Sequence, residues 1–104
     1  MSDDLNFQKL STVQNDLAIG AVTIPAATTI APTTFVTIVT GTTTIGTITP
    51  PVTGDHMLCL IFPDAMGAMA TSGNIAVAAD PGVNIPVFMV YVRKTGLYYP
   101  SAIS

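Results

Sequence analysis

Residues 33–54 read TTFVTIVTGTTTIGTITPPVTG, threonines interleaved with β-branched apolar residues, punctuated by glycines and closed by Pro50-Pro51. Thr, Val and Ile lose rotamer freedom against the preceding turn of a helix and pack well on a pleated surface, so this pattern predicts strands. With side chains alternating, Phe35, Thr37 and Val39 share one face and Val36, Ile38 and Thr40 the other. Both faces mix methyl and hydroxyl groups, which suits a strand covered on both sides, one of them by another subunit. Strands are expected over residues 35–40 and 43–49. Gly41 turns or bulges between them, and Gly46 marks a bulge or a close backbone approach.

The pattern continues in short apolar runs divided by turn residues. Residues 57–62, MLCLIF, are apolar on both faces and predict a central buried strand. Residues 65–72 read as a small-residue loop. Gly73-Asn74 turns into a strand over 75–79, and Asp80-Pro81-Gly82 turns again. A strand over 87–92, a charged hairpin turn over 93–96 and a last strand over 97–99 complete the series. Upstream, residues 18–32 are small and apolar with Pro25 and Pro32 among them. Proline removes ladder donors, so this part reads as an edge strand or an extended connector. Short strands at this spacing predict an all-β fold, a small antiparallel β-sandwich or barrel, jelly-roll-like.

Residues 1–17 are of another character, with Asp3, Asp4, Lys9 and Asp16, several amides, and Leu5, Phe7, Leu10, Val13 and Leu17 spaced among them. Ser2 or Asp3 is placed to cap a short helix with Leu10, Val13 and Leu17 on one stripe. Two readings stand: a weakly held terminus, or an arm that orders on a partner. The division is therefore an N-terminal arm over 1–17 and a β domain over 18–104.

Composition narrows the functional classes. Of 104 residues 49% are apolar and only 9% charged, with mean hydropathy +0.60. A small soluble monomer commonly carries ~25–35% charged residues on its surface. Obligate interfaces are depleted in charge, so this composition predicts an oligomer. A membrane span is not expected, because the longest apolar run, 57–63, is far short of the ~20 residues a spanning helix needs. The acidic start lacks the basic flank and apolar core of a signal peptide, which implies synthesis in a cytoplasm. Net charge is −3 with only Lys9, Arg93 and Lys94 basic, so no nucleic-acid footprint is expected.

Candidate chemistry is sparse. His56 is the single histidine, with no second ligand at metal spacing. It reads as a surface or subunit-contact residue, and three copies on a trimer axis are the one arrangement in which it would bind metal. Cys59 reads as a small buried hydrophobe on the face of its strand opposite His56, which leaves it without a base. Asp55, Asp64 and Asp80 sit beside Pro or Gly turns, where carboxylates usually bond the local backbone. Tyr98 and Tyr99 read as packing aromatics, with a sugar platform as the sharper alternative. No phosphate loop is present. The expectation is a protein that is not an enzyme and needs no cofactor.

From residue 42 to 100 the chain resembles a segment of tailed-bacteriophage structural proteins. The resemblance lies in Ile45, Ile48, Pro50 and Pro51 closing a Thr-rich run, then Gly54, Leu58 and Leu60, the Gly73-Asn74-Ile75 turn, and the closing Gly96, Tyr98, Tyr99 and Pro100. Leu97 or Tyr98 stands where the pattern carries Trp. Such segments are similar to trimeric β modules of head decoration (cement) proteins, head fibres and tail fibres. The resemblance implies a homotrimer on the capsid surface of the virion, with the major capsid protein as partner. Leu5, Phe7 and Leu10 are the candidate capsid-contact residues of the arm, and Val36, Ile38, Ile45 and Ile48 the candidate intersubunit seam. A fibre-tip or receptor-binding module is the alternative, using the loops at 65–72 and 93–96. A cytoplasmic all-β oligomer is the third reading.

Overall fold

A computed structural model describes residues 21–102; the arm, with Leu5, Phe7 and Leu10, lies outside them. The described residues form seven strands: β1 Val22–Pro25, β2 Thr29–Ile30, β3 Val36–Thr40, β4 Thr47–Ile48, β5 His56–Ile61, β6 Val87–Val92 and β7 Leu97–Pro100. They contain no helix. The fold is all-β, a mixed five-stranded sheet of order β1-β3-β5-β6-β7 and a two-stranded sheet of β2 and β4.

The expected antiparallel arrangement is corrected. Three of the five ladders, β1 with β3, β3 with β5 and β2 with β4, are parallel. The chain reaches this without crossover helices by coiling. β1, β3 and β5 are each followed by a corner and a stretch of second layer, and the next strand of the large sheet is then laid beside the last. Val22 thus pairs with Thr37, and Thr37 in turn with Leu60. The corners are bonded turn to turn as well: Ala26 N–H donates to Thr40 O (2.7 Å), and Gly46 and Thr47 N–H both donate to Thr28 O. Pro25, Gly41 and Pro50-Pro51 stand at these corners, where no two-residue hairpin turn is available to reverse the chain. The last two ladders are antiparallel, β6 to β5 and β7 to β6. β1 is an edge strand, as its proline predicts.

Two expected elements take a different form. The strand over 43–49 contracts to Thr47–Ile48, with Ile45 making a single parallel bridge to Met69. Gly46 is the close approach, since a Cβ there would collide with Ser72 Oγ. The strand over 75–79 is absent. Ile75 bridges Tyr98 while Ala79 bridges Met69, so the two ends of this segment bond to different neighbours and it crosses between them. The loop expected at 65–72 is instead a wall of the second layer, with Met69 and Ala79 exchanging N–H···O bonds of 2.8 and 3.0 Å.

The core lies between the large sheet and this second layer. Val39, Leu58, Leu60, Val87, Met89 and Tyr98 project from the sheet, and Ile30, Ile45, Ile48, Phe62, Met69 and Ile75 meet them. Thr37 is also fully buried, its hydroxyl donating to Thr34 O at 3.3 Å.

Candidate interaction surface

Strand alternation gives the large sheet a second face. In β5, Leu58 and Leu60 point into the core and Met57, Cys59 and Ile61 away from it. In β6, Val87 and Met89 point inward while Phe88, Val90 and Val92 do not. The registers align these outward positions across strands: Val36, Cys59 and Phe88 form one row, and Met57, Val90 and Tyr99 the next. Phe35, just before β3, leans onto the same face with its ring centroid 6.5 Å from that of Phe88. Cys59 beside this pair is only 4% exposed, whereas Phe35, Met57, Phe88 and Val90 are each 40–44% exposed. Burial pushes the Cys59 thiol up, which keeps it protonated and unreactive.

Among the described residues, the strands that make this face carry no charged side chain. Asp55, Asp64, Asp80, Arg93 and Lys94 all lie outside the strands. Asp55 and Asp64 do bond backbone, but of distant turns rather than their own. Asp55 Oδ1 accepts from Arg93 N–H at 2.7 Å, and Asp64 Oδ2 from Gly41 N–H at 3.0 Å.

On the core side, the structure places His56 within an aromatic cluster. Its Nδ1 lies 2.8 Å from Gly54 O, an acceptor only, so Nδ1 is the protonated nitrogen. Nε2 then accepts from the Tyr98 hydroxyl at 2.7 Å. The Tyr91 ring stacks on the imidazole with centroids 4.9 Å apart. Tyr98 is fully buried; burial, and secondarily Tyr91, hold its phenol well above the ordinary range. Both imidazole nitrogens are thus engaged within one chain.

The four seam residues read from the sequence separate. Ile38 is half-buried on the open face and Val36, on the same side of β3, is only 8% exposed, whereas Ile45 and Ile48 have no exposed surface and belong to the core. The two Thr-rich runs look alike in sequence, yet the second is a corner and a second-layer strand turned inward. The largest exposed groups of the face, Phe35, Met57, Phe88 and Val90, were missed as surface residues. Their signal is that 57–62 and 87–92 are apolar at every position, more than a strand with one solvated face requires. Of the two loops a receptor-binding module would use, 93–96 is an exposed hairpin tip, whereas Gly67 and Met69 of 65–72 are buried. No family model, no curated protein and no solved structure matches the chain.

Proposed function

We propose that the chain is a virion structural protein of a tailed bacteriophage, a capsid decoration (cement) protein that binds the outside of the head as a trimer and stabilises it. The observation behind this reading is the uncharged apolar sheet face, in a chain whose composition has too few charges for a solvated monomer. An all-β fold with Thr-rich strands agrees with the motif resemblance. In this reading the large sheet and the second layer act as a small sandwich, and residues 1–17 are an arm whose Leu5, Phe7 and Leu10 contact the major capsid protein. The mechanism is mechanical. Contacts that exist only in the assembled shell stabilise that shell by mass action.

The test is co-sedimentation of the full chain with empty heads of the phage that encodes it. Saturable binding, with heads that withstand higher temperature, is expected. The triple variant L5D/F7D/L10D should lose binding and keep its native mass. A wild-type chain that stays in the supernatant with heads, yet attaches to host cells, would contradict the reading and favour a receptor-binding module.

A further inference from the structure

We infer that the open face of the five-stranded sheet is the seam between copies of this chain, with Met57, Phe88 and Val90 at its centre and Phe35, Val36 and Ile38 beside them. This deepens the reading above, from which it takes the existence of an oligomer. Phe35, Met57, Phe88 and Val90 are each about two-fifths exposed. At that exposure the four leave on the order of 300 Å² open, a whole aromatic side chain offering ~150–250 Å². Monomers rarely expose a contiguous apolar patch beyond a few hundred Å².

Charge selects the occupant. A second copy brings the same net −3, which would oppose association through any face bearing carboxylates. The strands of this face carry none, and among the described residues the carboxylates, at Asp55, Asp64 and Asp80, lie outside the sheet. Three identical faces turned toward a common axis bury methyl, aromatic and thioether groups on every copy and strand no charge. The aligned rows Val36–Cys59–Phe88 and Met57–Val90–Tyr99 give each copy a pleated apolar surface for the other two to pack on. A heterologous partner of opposite charge has nothing here to pair with.

The test compares the native mass of the full-length wild-type chain with that of Met57→Lys and Val90→Lys, two cross-strand neighbours on the face. Both side chains point away from the core, so circular dichroism should be unchanged, and each variant should fall from three chain masses to one. Val52→Lys, at a position 53% exposed in the loop before β5, serves as the control and should keep the wild-type mass. Variants that fold and retain the oligomer mass would overturn the seam. That result leaves head binding untouched, because co-sedimentation is measured separately; a monomeric wild type overturns the seam and the trimer together.

Discussion

Asn74 does for Ile48 what a neighbouring strand would do. Its Oδ1 accepts from Ile48 N–H at 2.8 Å and its Nδ2 donates to Ile48 O at 2.7 Å, so one side-chain amide completes the edge of the small sheet. Asn74→Ala leaves both backbone groups of a buried residue without a protein partner. It should cost about 1–3 kcal/mol in urea unfolding. The preceding Gly73 has no room for a side chain, because a Cβ there would run into Thr47 Oγ1 and the Gly46 carbonyl. Backbone cannot step aside as a flexible side chain can, so Gly73→Ala should cost about 1–3 kcal/mol or more. The sequence marks Gly73-Asn74-Ile75 as a turn. It does not show that Asn74 reaches Ile48, because that contact spans 26 residues. His56 was read as a surface or subunit-contact residue, and nothing near it in sequence indicates the buried Tyr98 hydroxyl that it accepts from.

Two buried acids add a pH dependence. Burial raises the Cys59 thiol above its ordinary 9.0 and the Tyr98 phenol above its ordinary 10.0. The folded chain therefore keeps protons that the unfolded chain gives up as pH rises through those ordinary values. Stability is fully present below pH 9 and should fall progressively above it, more steeply beyond pH 10. Urea midpoints from pH 8 to 11 measure this. Tyr98→Phe should flatten the upper part of the profile while costing about 1 kcal/mol at neutral pH for the lost hydrogen bond to His56; an unchanged slope would place the effect elsewhere.

Among the elements, the strands with dense apolar runs were the most legible. Residues 87–92 form β6 with the expected bounds, and β5 lies one residue upstream of the run predicted for it. Each is long enough and apolar enough for its own packing to fix it. The hairpin between β6 and β7 was readable because Gly96 takes φ +69° there. Gly96→Ala forces a Cβ into the left-handed region and should destabilise by about 1 kcal/mol, with thermal unfolding as the check. The parallel pairing was not legible. Strand composition is much the same for both senses, and what decides between them is whether the corners return the chain or reverse it. The segment 75–79 failed for another reason: its side chains, Ile-Ala-Val-Ala-Ala, are too small to dictate a partner, so its two ends follow different neighbours.

At the scale of the whole molecule, the low charge and the open sheet face meet in one account. One face of the large sheet is sealed by the second layer of the same chain, and the strands of the other, among the described residues, hold apolar groups and no charge. Composition alone pointed to an oligomer; the resemblance suggested Val36, Ile38, Ile45 and Ile48 as its seam, and of these Ile45 and Ile48 prove to be core. An association made through uncharged groups is not screened by salt. Its native mass should therefore be the same in dilute buffer and in 0.5 M sodium chloride, where ion-paired interfaces loosen (Debye length ~3 Å at 1 M against ~10 Å at 0.1 M). The same measurement, light scattering on the full-length wild-type chain, tests the account most directly when repeated across dilution. Three times the 10.7 kDa chain mass, held into the low micromolar range, is the predicted result. A well-behaved monomer at every concentration would contradict the account, since the apolar face would then be solvated without a partner.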